Sequence, residues 1–464
     1  MAQNCVLECL QHSQARTVRS IFVTSRSLIK DLAELPAGPV SVAGWVDTVR
    51  DQKKVQFVVL RDESGAAQLV NPRTVGEDGT IVADDVARTI SSLTQGSFIR
   101  VTGELKHDER VKLGGLEIKV SAIAVETRAL AETPIAPDSG IDKRMDWRFL
   151  DLREPKNNLI FRVQTTFEHA LRQYWIDNGF IEIHSPKLMS SASESRAELF
   201  EVPYFETTAY LAQSPQIFKQ MAQAAGFGRV FEIGPAFRAD PSFTSRHATE
   251  FTSVDMEMSW IESHEDVMIV HENLLVAGLR AVADKHGEEI RDLFGVEITV
   301  PTTPFPRIPL AEAKEIVAAR GYEVPRHDDD MDPEGERQIA AFVRETYGHE
   351  FVFLTNYATT IRPYYHMRHD DDPSLTKSYD LIFNGVEIST GAQREHRVDI
   401  LEQQARDKGL QVDELDDVLQ FFKYGIPPHG GFGMGLARVL MLMLHLGNVR
   451  ESMYLFRGPN RLAP

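Results

Sequence analysis

The sequence predicts an α+β protein in two folded parts: a small closed β-barrel, then a larger domain with an antiparallel β-sheet flanked by helices. Three observations carry this. Five short β-rich runs, spaced by turns, lie between residues 38 and 128. Beyond residue 155, strand-like runs alternate with amphipathic helices to the C-terminus. The charge also divides: residues 1–128 carry 16 Lys+Arg against 16 Asp+Glu, while residues 129–464 carry 34 against 52, the whole net charge of −18. A chain of 464 residues, 42% hydrophobic and 25% charged, is globular and long enough for two or three domains.

The same composition excludes several classes. A strongly acidic chain is not a non-specific nucleic-acid coat, which needs a basic surface. The two cysteines, Cys5 and Cys9, form neither a zinc ligand set nor a disulfide framework, so a reducing, cytoplasmic setting is expected. No apolar run of membrane-spanning length and no secretory signal pattern occurs.

Taken in order, residues 1–37 read as an N-terminal extension with a short helix near Ser27–Ala33. Residues 38–128 hold the five strands, at 40–46, 55–60, 67–70, 97–103 and 116–125, with a helix-like stretch at 84–94 between the third and fourth. That order suits a Greek-key barrel of the OB type. Residues 129–155, punctuated by Pro134, Pro137 and Gly140, are expected to be a hinge. A long helix over about 158–178 then opens the larger domain, 156–464, and ends at Asn178-Gly179. The acidic run at 327–337 reads as a solvated loop leading into a helix, with a metal site as the alternative.

Three clusters in the larger domain carry chemistry, and neither a P-loop nor a dinucleotide fingerprint is among them. In Phe237–Glu257, two arginines and a histidine straddle a polar loop. The residues after it alternate, with Phe251, Ser253, Asp255 and Glu257 on one face. A strand-loop-strand hairpin would aim Arg238 and Asp255 at one site. An aromatic for stacking, arginines for phosphate and carboxylates for a cation or amine suit a nucleoside triphosphate; a surface hairpin with solvated charges is the alternative. In Asp380–His396, carboxylates at 380 and 387 flank a strand, and Glu387 with a nearby hydroxyl could hold Mg²⁺ through oxygen. Arg394 there could grip a carboxylate bidentately. In Gly430–Arg438, glycines lead from a loop into the helix Leu436–Leu446. They allow close approach of a ligand or another backbone, and Arg438 sits in the first turn of an apolar helix, an odd place for a cation that binds no anion.

Together these clusters resemble motifs 1, 2 and 3 of the class II aminoacyl-tRNA synthetases, carried by Gly179–Pro186, 230–257 and Gly431–Leu446. Gln213-Ser-Pro-Gln-Ile-Phe-Lys-Gln, Arg362-Pro-Tyr-Tyr, Glu387–His396 and Gly44-Trp-Val narrow the resemblance to the aspartate enzymes of archaeal and eukaryotic-like type, over about residues 38–464. The resemblance implies ATP-dependent activation of L-aspartate to aspartyl-adenylate and transfer to tRNA(Asp), with tRNA(Asn) as a second acceptor left open. It implies ATP and Mg²⁺ as cofactors and a homodimer built through motif 1. Arg238, Arg438 and Glu387 would be catalytic. Arg246, His247, Glu250 and Phe251 would join them around ATP, and Glu387 with Thr390 would hold the metal. Glu194, Gln216, Lys219, Asp255, Thr390 and Arg394 would bind aspartate, with Gln213 and Ser214 nearby. Lys219 beside a neutral amide would lack its counter-charge and so would favour aspartate over asparagine. Phe57, Gln68 and Arg50 of the barrel would read the anticodon by stacking and hydrogen bonding.

Some residues depart from the family pattern. The loop that closes over the amino acid, usually rich in glycine, reads Ser193-Glu-Ser-Arg-Ala197, and Ala437 replaces the acidic residue before Arg438. These leave open a specialised second copy with altered inhibitor sensitivity, a non-tRNA acceptor, or asparaginyl-type specificity.

Overall fold

The computed structural model describes residues 26–75, 81–82, 84–136, 138–190, 199–242, 244–325 and 329–464. The chain divides into two compact units, Met1–Pro137 and Asp138–Pro464.

The first unit is a closed five-stranded barrel, β1 (Gly38–Asp51), β2 (Val55–Arg61), β3 (Ala66–Pro72), β4 (Phe98–His107) and β5 (Leu116–Thr127), in the order β1-β2-β3-β5-β4. All neighbours are antiparallel except β3 and β5. Strict alternation in β2 sends Val58 and Leu60 inward against Val42, Leu69, Ile99, Val101 and Ile118, which fixes the register. The helix α1 (Asp85–Ser91) lies between β3 and β4 and starts on an Asp84 side-chain cap. It is pinned by the buried Gln56, whose amide donates to Ala87 O at 3.1 Å and to Ser91 Oγ at 2.9 Å. The short helix expected near residues 27–33 is a 3₁₀ turn, Ile29–Glu34, tied by Ile29 N–H to the buried Asp62 carboxylate.

The stretch expected to be a hinge is folded in its second half. Helices α2 (Ile141–Asp146) and α3 (Arg148–Asp151) belong to the second unit. The fully buried Arg148 pairs with Asp151 and donates to the carbonyls of Glu451 and Met453, and Arg144 pairs with Glu451 at 2.8 Å. Such partners bind 138–151 to the chain's last turns, which proline and glycine spacing alone did not reveal.

The second unit is built on an eight-stranded sheet. In chain order its elements are α4 (Pro155–Asp177), β6 (Ile181–Glu182), a three-stranded sheet β7 (Leu188–Met189), β8 (Glu201–Tyr204) and β9 (Thr207–Leu211), α5 (Gln216–Ala224), β10 (Arg229–Phe237), β11 (Glu250–Ser259) and α6 (His264–Phe294). These are followed by β12 (Arg307–Pro309), α7 (Leu310–Ala319), α8 (Pro333–Tyr347), β13 (Phe351–Thr355), β14 (Ser378–Phe383), β15 (Val386–Gln393), α9 (Val398–Asp407), β16 (His429–Gly435) and α10 (Leu436–Met443). The large sheet runs β12-β13-β14-β15-β16-β11-β10-β6 and is antiparallel except at its two ends. One face packs on α4 and α6 through Phe167, Leu171, Trp175, Phe231, Val254, Met256, Phe432 and Leu440. The helices touch at Gly278, where a Cβ would lie 2.4 Å from the Phe167 ring. The other face of β11, β15 and β16 carries the polar residues of the site.

The glycine run 430–435, between the loop before it and the helix after it, forms the central strand β16. Gly431 faces Met256 O and the Glu257 carboxylate, which a Cβ would meet at 2.0 and 2.4 Å. Only a residue without a side chain lets β16 lie over these groups.

Candidate active site

A cavity of about 410 Å³ opens on the polar face of the central strands. The β10–β11 hairpin, paired from Arg229↔Met258 to Phe237↔Glu250, supplies Arg238, Asp240, Arg246, His247, Phe251, Ser253 and Asp255. Strand β15 supplies Glu387, Ser389 and Thr390, with Arg394 just beyond its end. Arg438 enters from the first turn of α10, Ser214 and Gln216 from the start of α5, and Arg362, Tyr365 and His366 from the loop between β13 and β14. Residues as far apart in the chain as Ser253 and Gly435 meet because β11, β16 and β15 are adjacent.

The cationic end is held from below. Arg438 donates to Glu387 O at 2.9 Å and to Arg246 O at 3.2 Å, and its guanidinium lies 3.9 Å from the Glu387 carboxylate. Arg238 lies over the Phe251 ring at 5.6 Å. Arg246 pairs at 2.9 Å with Glu336 of α8, which also accepts from Glu387 N–H. Burial pushes the Glu336 carboxyl up to about 7, the Glu387 carboxylate adding to the rise and Arg246 opposing it. His247 is held below the usual histidine range by burial and by Arg438, Arg246 and Arg238.

Four charged side chains form the floor at the other end. Lys219 Nζ contacts Asp255 at 2.8 Å and Glu257 at 3.6 Å and donates to the carbonyls of Met256 and Phe432. Arg394 binds Glu257 through Nε at 2.9 Å and one terminal nitrogen at 3.3 Å, that nitrogen also donating to Gly431 O. Burial alone would raise the Glu257 carboxyl, but Arg394 and Lys219 outweigh it and hold the group ionised. Ser253 donates to Asp255.

Most of the expected residues converge here: Arg238, Arg246, His247, Phe251, Glu387 and Arg438 at one end, and Ser214, Gln216, Asp255, Thr390 and Arg394 toward the other. Three expectations change. Lys219 does not line the cavity: it is fully buried beneath it, and a buried ammonium must be paired within the protein. It therefore has its counter-charges in Asp255 and Glu257 whatever the substrate, which removes the argument that an amide would leave it unpaired. Arg394 lines the cavity but spends four of its five N–H donors on partners among the described residues, so among these one N–H is left over, and not a bidentate fork. Glu250 is exposed and lines a neighbouring cavity of about 370 Å³ behind Phe251, as its place one residue before Phe251 on a strand requires. Glu194, with the whole Ser193–Ala197 segment, lies outside the described residues. Gln213 is buried beside Ser214 and is not among the cavity's lining residues.

Sequence reasoning missed Asp240, His366 and Glu336. Asp240 had a signal, its place two residues after Arg238 in the hairpin. The other two had none, because the fold brings them in from β13–β14 and α8.

No group of three or more His, Cys, Asp or Glu side chains is placed to hold a metal among the described residues. Glu387 and Thr390 nonetheless offer oxygen: Thr390 Oγ1 donates to Asp380 at 2.8 Å and lies 3.3 Å from the Glu387 carboxylate. Burial and Glu387 raise the Asp380 carboxyl against the pull of Arg362. An all-oxygen pair beside mutually repelling carboxylates fits a hard divalent cation such as Mg²⁺.

In the barrel, the three residues expected to read bases form one cluster. Arg50 and Phe57 are cross-strand partners, the guanidinium lies 5.4 Å over the ring, and Arg50 also reaches Gln68 Oε1 at 3.4 Å.

Residues 140–457 match the family model of tRNA synthetases class II (D, K and N), and residues 40–126 match that of an OB-fold nucleic acid binding domain. The aspartate–tRNA(Asp) ligase of Pyrococcus abyssi is 40% identical over 435 residues, 93% of this chain and 97% of that protein. The aspartate–tRNA(Asp/Asn) ligase of Aeropyrum pernix is 40% identical over 97% of this chain and 99% of its own length. Among solved structures, the asparaginyl-tRNA synthetase of Pyrococcus horikoshii complexed with asparaginyl-adenylate superposes with a TM-score of 0.87 at 30% identity, covering 96% of this chain and 100% of that one. The aspartyl-tRNA synthetase of Entamoeba histolytica gives 0.83 at 29%, covering 95% and 92%. With its catalytic unit and barrel both matched, the chain belongs to the class II tRNA synthetases, in the group of the D, K and N enzymes.

Proposed function

We propose that the protein activates L-aspartate with ATP to aspartyl-adenylate and transfers it to tRNA(Asp), with tRNA(Asn) as a second acceptor. The observation that supports this best is the cavity's polarity: Arg238, Arg246 and Arg438 at one end, the Arg394–Glu257 and Lys219–Asp255 pairs at the other. Arg238 and Arg438 bind the triphosphate and stabilise the charge that develops at the α-phosphate as the carboxylate attacks. Phe251 stacks on adenine. Asp255 and Gln216 hold the α-amino end, and the remaining N–H of Arg394 meets the side-chain carboxylate. Glu387 and Thr390 would hold Mg²⁺, which would neutralise phosphate charge. No protein nucleophile is required, so the residues act by positioning and electrostatics. The Arg50–Phe57–Gln68 cluster takes the anticodon.

Exposed apolar side chains near motif 1, Ile181, Phe227, Trp260 and Ile269, support a homodimer through that face; sedimentation would show it as a twofold mass. Among the described residues no helix is long and apolar enough to cross a membrane, which suits a cytoplasmic enzyme.

Asparagine stands as the second reading, because Lys219 is already neutralised by Asp255 and Glu257. Amino-acid-dependent ATP–pyrophosphate exchange decides between them. Aspartate-dependent exchange is expected; exchange with asparagine alone overturns the aspartate reading. Charging of tRNA(Asp) and tRNA(Asn) transcripts then tests the acceptors.

A further inference from the structure

His366 lines the cavity and is fully buried against Arg394. The two residues form an isolated antiparallel bridge, with Met367 N–H donating to Gln393 O and Glu395 N–H to Tyr365 O, so their side chains are held in register. Arg394 NH1 lies 3.0 Å from His366 Nε2. A guanidinium only donates, so Nε2 must carry a lone pair and the ring proton must sit on Nδ1. That Nδ1 is buried and has no hydrogen-bond partner among the described residues. Leaving a buried N–H unpaired is unfavourable, and such a group in a folded protein points to a compensating role. Here the role is visible: Nε2 is the acceptor for one of the two N–H groups at the end of Arg394 that Glu257 and Gly431 do not occupy.

We propose that His366 is a specificity-determining positioning residue, a neutral acceptor that orients Arg394 so that the N–H with no partner among the described residues meets the substrate's side chain. This rests on the amino-acid pocket assigned above. A neutral acceptor matters because Arg394 already faces one carboxylate, Glu257. A second carboxylate at position 366 would orient the guanidinium equally well but would repel an incoming carboxylate. An imidazole orients it without adding negative charge to the floor. Burial, together with Arg394, Arg362 and Lys408, keeps the ring uncharged.

The test is ATP–pyrophosphate exchange with His366→Phe and His366→Gln. Phe keeps a ring and removes the acceptor; Gln can return an amide oxygen near the Nε2 position. His366→Phe is expected to raise KM for aspartate by about tenfold, the effect of one lost hydrogen bond to a charged group. KM for ATP should stay at the wild-type value, and His366→Gln should recover most of the loss. An unchanged aspartate KM in His366→Phe, or equal rises in the aspartate and ATP KM values, overturns the proposal. So does a soluble His366→Gln, melting like wild type, that is as impaired as the Phe variant. If wild-type protein exchanges with asparagine and not aspartate, the substrate reading falls, and the same comparison is made on the asparagine KM.

Discussion

Replacing Glu336 by Gln should make the nucleotide-free protein more stable at alkaline pH and leave it little changed in acid. Glu336 sits at the start of α8, nearly inaccessible, between Arg246 and Glu387. Its folded pKa of about 7 lies above the ordinary 4.5 because burial and Glu387 outweigh Arg246. The folded chain therefore holds this proton more tightly than the unfolded chain. Stability from this group is fully present below about pH 4.5 and is lost as pH rises through about 7. At 1.36 kcal/mol per unit, the loss between pH 5 and pH 8 is about 2–3 kcal/mol. Gln mimics the protonated acid and escapes it. For a unit of this size that corresponds to roughly 4 °C in melting temperature. Thermal unfolding of both proteins at pH 5 and pH 8, without nucleotide, reads it directly. A difference between them that does not change with pH would refute the reasoning, since it would mean that Glu336 is ionised in the folded chain across the whole range.

Three further outcomes are expected. Phe57→Ala should weaken tRNA binding by about 1–3 kcal/mol, the loss of one stacked base, with exchange unaltered; filter binding and exchange measure the two separately. Arg438→Ala should lower the exchange rate by about a hundredfold or more, as for a group that stabilises transition-state charge, and unchanged kinetics would remove Arg438 from the site. Gly431→Ala should abolish exchange or prevent folding, because its Cβ meets backbone at 2.0 Å, whereas Gly447→Ala, with open space around it, should melt and exchange like wild type.

The parts legible in the sequence are those whose residues lie close together in the chain. The barrel strands β2 and β4 alternate cleanly, because each has one face inside and one outside. The β10–β11 hairpin brings Arg238, Phe251 and Asp255 together within 18 positions, so period-two geometry alone aims them at one site. The same geometry places Glu250 on the far side of Phe251, which assignment by motif overlooked. Position along the chain says nothing of partners acquired across the sheet. Glu336 reaches Arg246 across 90 residues, and His366 reaches Arg394 through a single bridge. Residues 138–151 read as hinge because their partners, Glu451 and Met453, are 300 positions away.

Lys219 shows the consequence for specificity. A lysine in a substrate pocket suggests selection by charge, but only if its counter-charge comes from the substrate. Burial makes that impossible here. The desolvation of an unpaired ammonium would cost several kcal/mol in the empty enzyme, so the fold supplies Asp255 and Glu257 in advance. Arg394 is met by Glu257 for the same reason. Two cations and two anions leave the floor with no net charge. Net attraction therefore cannot separate a carboxylate from an amide. The choice passes to the donors at the cavity surface that have no partner among the described residues, and so to what fixes that N–H of Arg394. A variant that shifts that N–H without changing the charge of the floor, such as His366→Phe, should then alter amino-acid selection. Lys219→Met would fail first by leaving Asp255 buried beside Ser253 without its cation.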